Sequence, residues 1–238
     1  MSEQYIPGLP GVRAARSAAH RIVFKQGWMI GFLAGGKCIS GGASRDPLNT
    51  GDVDVLRAGV LLGKISSVVN SLGTVNFYAP SVLGVTTNAE AVGSTAIEAA
   101  AAVVTELVRR CGASGTFKLT GPPTASGTVN TETVTYSAAS GTAITCTAIT
   151  QAKVAGSLIQ PTDGSEAPIS LVPDGWGVVV TDVDRSTNVD VEYPMLPIGG
   201  TLISANLVNW PADASTKAWI VGQLNVQGGG KFVFDHLY

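Results

Sequence analysis

Apolar positions along this chain come mostly in short runs punctuated by turn residues, with one segment of helical spacing. Ile97, Ala101, Val104, Val108 and Cys111 fall on a single helical stripe. Thr95 and Glu98 have capping-box spacing ahead of it, and Arg109-Arg110 followed by Gly112 suit its end, so the pattern predicts a helix over 95–111. Beyond it the period changes to two. Phe117 and Leu119, Val134 and Tyr136, and Ile144 and Cys146 alternate with Thr, Ser or Lys, which predicts three half-buried strands separated by Pro122-Pro123 and Ser140-Gly141.

On either side of this helix-and-strand stretch the pattern is one of short strands and turns. Trp28 to Ala34 is an apolar run interrupted by Gly31, read as a buried strand, and Asp46-Pro47-Leu48-Asn49-Thr50-Gly51 is a polar bend. A tight turn is expected at Arg57-Ala58-Gly59. Val60, Leu61 and Leu62 after it are apolar on both faces, as in a strand covered on each side. Later, Gly177 to Val183 and Thr201-Leu202-Ile203 read as strands. A second helix is expected after Pro211, capped by Asp213 or Ser215, with Trp219, Ile220 and Leu224 on its apolar side. Gly228-Gly229-Gly230 stops it before a last strand at Lys231-Phe232-Val233-Phe234.

These elements predict a mainly β (α+β) chain in three parts. Residues 1–21 form an extended arm, broken by Pro7, Gly8, Pro10 and Gly11 and carrying Tyr5, Ile6, Leu9 and Val12 as its few apolar anchors. Residues 22–84 and 161–238 form a discontinuous β-rich core with a C-terminal helix. Residues 85–160 form an inserted α+β subdomain of one helix and about three strands.

Composition agrees with turn-rich architecture: 29 glycines and 12 prolines, with charged residues at 13% and hydrophobic ones at 45%. A net charge of -2 argues against nucleic acid as a partner, because phosphate binding needs clustered Lys and Arg. The start of the chain lacks the basic, apolar pattern of a signal peptide, so export by that route is not expected. The apolar run at 28–34 falls short of the roughly 20 residues a spanning helix needs, so no membrane partner is expected. Cys38, Cys111 and Cys146 are widely spaced and odd in number, suggesting buried free thiols over a zinc site or a disulfide framework.

Catalytic constellations are scarce. His20 and His236, the two histidines, have no Ser or Cys partner at motif spacing. Gly59-Val60-Leu61-Leu62-Gly63-Lys64-Ile65 fails as a phosphate loop, since its first glycine is one residue too close and Ile65 stands where a Ser or Thr would ligate magnesium. The most suggestive polar pattern is a repeated acid-x-acid pair: Asp52 with Asp54, Asp182 with Asp184, and Asp190 with Glu192. Residues two apart on a strand share a face, so each pair offers oxygens to a cation, to a glycosidase-like mechanism, or simply to water at a strand end. Solvated strand ends are the expected reading; no catalytic residue, metal ligand or cofactor is assigned.

Three runs carry a family resemblance. Leu56-Arg57-Ala58-Gly59-Val60-Leu61-Leu62-Gly63-Lys64-Ile65 is similar to the "R/K-A-G-x-x-L-G-K-I/V" run of the lambda D-like head decoration proteins of tailed bacteriophages. Gly177-Val178-Val179-Val180-Thr181-Asp182-Val183-Asp184 resembles that family's "G-I-L-x-E-D-V-D" strand, and Leu207-Val208-Asn209-Trp210-Pro211 resembles its "A-L-N-W-P" before an acidic helix start. The resemblance covers roughly residues 22–70 and 165–238, and residues 85–160 have no counterpart in small members of the family.

The resemblance implies a capsid cement protein. It would bind the phage major capsid protein on the outside of the expanded head as a homotrimer, reinforcing the shell against internal DNA pressure. Such a protein is made in the host cytoplasm and resides on the virion. The family's arm runs along capsid strands, which maps capsid binding here to Tyr5, Ile6, Leu9, Val12 and Arg13. Pro194, Leu196, Trp210, Pro211 and Trp219 are candidate trimer or core anchors: a Trp can serve as an interface hot spot or pack in the core, and the prolines mark an exposed edge or an ordinary turn. A second function class is a surface adhesion or glycan-binding module, with the Thr-rich insert displayed on the virion.

Overall fold

Short apolar runs become short strands. The computed structural model describes residues 37–71, 73–162, 176–180, 182–184, 189–192, 200–228 and 232–234. Its elements run β1 (Lys37–Ile39), β2 (Val55–Leu56), β3 (Leu61–Asn70), β4 (Gly73–Pro80), β5 (Gly84–Val85), β6 (Ala96–Glu98), α1 (Ala101–Cys111), β7 (Gly115–Gly121), β8 (Asn130–Ser140), β9 (Ala143–Cys146) and β10 (Leu158–Pro161). Then follow β11 (Trp176–Val178), β12 (Val183–Asp184), β13 (Val191–Glu192), β14 (Gly200–Leu202), a 3-10 turn at Ser204–Asn206, α2 (Ala214–Gly228) and β15 (Phe232–Phe234). The fold is mainly β with a C-terminal helix, the α+β class that the patterning predicts.

Two larger sheets organise the chain. One has five strands in the order β11-β3-β4-β1-β13, antiparallel except where β1 runs parallel to β4. The other has six antiparallel strands in the order β5-β10-β7-β8-β9-β6. Both are explained by their side-chain patterns. In the first, successive residues of the Val60-Leu61-Leu62 run enter different clusters. Leu61 packs with Ala58, Val178, Leu202, Ile220 and Leu224, whereas Val60 and Leu62 pack with Ile39, Leu56, Tyr78 and Val179. A strand apolar on both faces is thus covered on both. In the second sheet the alternating residues Phe117, Leu119, Val134, Tyr136, Ile144 and Cys146 all face the core, where Val103, Val104 and Leu107 of α1 cover them.

The helix at 95–111 is corrected at its start. Ala96–Glu98 is β6, paired with β9 through Ala96↔Thr145, Ile97↔Ile144 and Glu98↔Ala143, and α1 begins only at Ala101. Strand pairing satisfies backbone groups that the first helical turn would leave without partners, so tertiary context overrides the local capping pattern. Glu98 receives Asn88 Nδ2 at 2.7 Å in place of closing a capping box. The buried face of α1 is accordingly Val103, Val104, Glu106, Leu107 and Arg110, with Ala101 exposed. The expected strand Gly177 to Val183 is likewise two pieces. β11 ends at Val178, Val179 bonds to the Gly59-Val60 turn, and Val183–Asp184 pairs with β2.

α2 follows the sequence closely. Asp213 Oδ2 accepts from the Thr216 backbone N–H at 2.7 Å and from its hydroxyl at 2.9 Å, the N-cap arrangement expected of this residue. Ile220 and Leu224 are buried, and Trp219 packs beside them.

The two sheets share side chains across their seam. Leu158 of β10 packs in the Leu61 cluster, Leu48 packs against the α1 cluster, Arg109 donates to the Gly42 and Ala43 carbonyls at 2.6 and 3.0 Å, and Arg110 donates to the Pro80 carbonyl. The arginines that mark the end of α1 in the sequence therefore also tie that helix to the five-stranded sheet.

Candidate functional site

Three segments far apart in sequence meet at Gly59, and they belong to the three runs that carry the resemblance. Gly59 has φ +95°, and a Cβ added there would lie 2.2 Å from the Asn206 carbonyl oxygen, so both conformation and space demand glycine. Its N–H donates to the Val179 carbonyl at 2.7 Å, its carbonyl accepts from Val208 N–H at 2.9 Å, and Val179 N–H donates to the Val60 carbonyl at 2.9 Å. Asp182 Oδ1 receives the Ala58 N–H at 2.7 Å. Main-chain bonds and one carboxylate thus lock the 57–60 turn between the other two segments.

The rim of this knot is polar and equally committed. Arg57 forms a two-pronged pair with Asp46, at 2.5 Å through Nε and 3.0 Å through Nη2, and Asp46 is only 2% exposed. Asn209 adopts φ 59°, a left-handed conformation that asparagine tolerates, and its Nδ2 donates to the Val82 carbonyl at 3.1 Å. Leu48, Arg57, Ser204, Leu207, Asn209 and Trp210 line an open hollow of about 510 Å³ beside these contacts. The geometry serves to hold segments in register.

Among the candidate anchors, Trp210 is half-buried against the Leu61 cluster and also lines the hollow, Pro211 is buried, and Trp219 is half-buried against the same cluster. Tyr5, Ile6, Leu9, Val12, Arg13, Pro194 and Leu196 lie outside the described residues, as do His20, His236 and the Trp28 to Ala34 run. The acid pairs do not converge. Asp52 Oδ1 accepts from Asp54 N–H at 3.1 Å, Asp54 pairs with Arg45 at 3.0 Å, and Asp190 Oδ1 accepts from Gly41 N–H at 2.8 Å. Asp52, Asp190 and Glu192 are exposed, in keeping with solvated strand ends, whereas Asp184, which is buried, and Asp182, whose Oδ1 holds the Ala58 N–H, depart from that expectation. No group of three or more His, Cys, Asp or Glu able to hold a metal occurs among the described residues. No described helix is long and apolar enough to cross a membrane.

The cysteines are free, with Cys146 buried and Cys38 and Cys111 half-buried. Burial, helped by nearby carboxylates, pushes the Cys38 and Cys146 thiols above their ordinary pKa, so neither is a ready thiolate. The sequence reading names Asp46 and Asn209 only as parts of a bend and of a family-like run, without the Arg57 pair that the first makes or the left-handed turn that the second makes. Asn209 alone carried a local signal, as an asparagine ahead of Trp-Pro in a turn-rich stretch. A further surface was also missed: the β3–β4 ribbon ends in Val68 and Val69, 54% and 78% exposed.

Comparison with protein-family models, with curated proteins and with solved structures gives no match to this chain.

Proposed function

We propose that this protein is a non-catalytic capsid decoration protein. It binds the outside of an expanded tailed-phage head as a homotrimer and stabilises the shell against internal pressure. The observation that carries this reading is the convergence at Gly59. The runs that resemble the lambda D-like family, distant in sequence, meet through main-chain bonds around one obligatory glycine.

Such a protein works by adding contact area. If each of three subunits lays its arm on the shell, the second and third arms bind intramolecularly, and weak single contacts become slow release. Strand addition by the arm explains why few specific side chains are needed there. The exposed Val68 and Val69 at the ribbon end add an apolar contact suited to shell or neighbouring subunit.

The test mixes purified protein with undecorated expanded heads and follows co-sedimentation. Stoichiometric binding is expected, and deletion of residues 1–12 is expected to abolish it with the circular dichroism spectrum unchanged. Failure to co-sediment across salt and temperature would remove the reading.

A further inference from the structure

Lys153 is 1% exposed, and its chemistry is not explained by packing. Its Nζ lies against Asn130 Oδ1 and 3.2 Å from the Asn130 carbonyl oxygen. The main chain at Lys153 is fixed by a two-way bridge to Glu90, 2.8 and 2.9 Å. The loop before it is clamped to β8 by Glu132, which accepts from Thr150 N–H at 2.6 Å, Thr150 Oγ1 at 2.8 Å and Gln151 N–H at 3.3 Å. Asn130 and Glu132, two apart on β8, share the face that Val134 and Tyr136 continue into the core. Of the two acids nearby, Glu132 is the one whose charge acts on Lys153, while Glu90 accepts from Ser94 Oγ at 3.0 Å.

A buried ammonium facing a neutral amide, with no opposite charge paired to it, is an expensive arrangement. The environment lowers the cost by deprotonation: burial brings the Lys153 pKa down to about 8, with the Glu132 charge opposing. A minor but substantial share of the side chain is then the free amine at neutral pH, and a desolvated amine is a nucleophile. The group in front of it is a carboxamide, whose carbonyl carbon is bonded to the oxygen that Nζ touches.

We infer that Lys153 and Asn130 become joined by an intramolecular isopeptide bond, formed by the chain itself with Glu132 as the assisting carboxylate. The Nζ lone pair adds to Asn130 Cγ, and the Cγ–Nδ2 bond breaks. One Nζ proton passes through the Glu132 carboxyl group to the departing nitrogen. The products are one Nζ–Cγ amide and one ammonia, so neither oxidant nor cofactor is needed. The bond ties the start of β8 to the segment that leads into β10, positions 23 apart in the chain. The inference is independent of the capsid reading, since it rests on these three side chains alone.

Mass spectrometry of the purified full-length chain is the test. The intact mass is expected to be one ammonia below the sequence mass, and trypsin is expected to leave the bond after Lys153 uncut. Cleavage after Glu132 by a glutamyl endopeptidase should leave the two sides joined in one branched peptide. Asn130→Ala and Lys153→Met should each restore the full mass. Glu132→Gln, which keeps an acceptor for Thr150, should slow bond formation about a hundredfold. A wild-type chain with the full sequence mass and a clean tryptic cut after Lys153 would overturn the inference. Bond formation at an unchanged rate in Glu132→Gln would overturn the role given to that residue.

Discussion

The knot at Gly59 and the six-stranded sheet over Gly84–Pro161 are built by opposite means. In the knot, the bonds that matter run between main-chain groups of distant segments, and side chains enter chiefly as clasps: Asp182 on Ala58, Asp46 on Arg57, Asn209 on Val82. In the sheet, β7, β8 and β9 follow one another as antiparallel neighbours, and their alternating residues supply one core face. The difference is one of tolerance. A hydrophobic face accepts many residues of similar volume, whereas a left-handed turn packed on a carbonyl accepts one.

Substitution at Gly59 should therefore have the largest effect on stability. Gly59→Val places a β-branched side chain in a left-handed conformation and drives it into the Asn206 carbonyl, with an expected loss of about 4 kcal/mol in chemical denaturation. Next is Leu158→Ala, fully buried at the seam, for which about 3 kcal/mol is expected. Its transition curve is the more telling readout. One cooperative unfolding step, seen by probes in both sheets, would mean that the shared cluster couples them; two separate steps would divide the molecule into independent halves.

Asp182→Ala leaves the Ala58 N–H without its carboxylate and should cost about 2 kcal/mol, measurable as a lower denaturation midpoint. The sheet offers a pH test of comparable delicacy. Lys153 has a folded pKa lowered to about 8 against an ordinary value of 10.5, so between these values the unfolded chain binds more protons and stability rises with pH. In Asn130→Ala, where the amine stays free, stability should increase by about 1 kcal/mol from pH 7 to 9. In the wild type, with Lys153 held as an amide, that increase should be missing. Asp213→Ala, removing the cap of α2, should be mildest, at about 1 kcal/mol or less by thermal melting.

Legibility in the sequence tracks the same contrast. The strands β7, β8 and β9 were readable because alternation over several residues reflects burial on one side, a property each strand carries by itself. The cap at Asp213 was readable for the same reason, being local. The capping pattern at Thr95 and Glu98 misled because a competing partner, β9, lies well along the chain, and no local signal announces that Ala96–Glu98 will pair with it. The stripe on α1 was consequently rotated: Glu106 and Arg110 are buried although both are charged. Glu106 pairs with Arg109 at 2.6 Å, and Arg110 reaches the Pro80 carbonyl. Such satisfied charges cannot be told from solvated ones by residue type alone.

What the sequence alone determined is what neighbours in the chain can decide: alternation, turn residues, a helix end, a cap, and the mainly β class that follows from them. Tertiary structure alone decided which residues share a place. It carried Gly59, Val179 and Asn206 to one point, gave Asp182 and Asp190 backbone partners from distant segments, and set Lys153 against Asn130. The physical reason is that periodicity reports burial, which acts on each element separately, while a hydrogen bond or a nucleophile facing its carbonyl needs two groups within a few ångströms, a distance the folded chain alone sets.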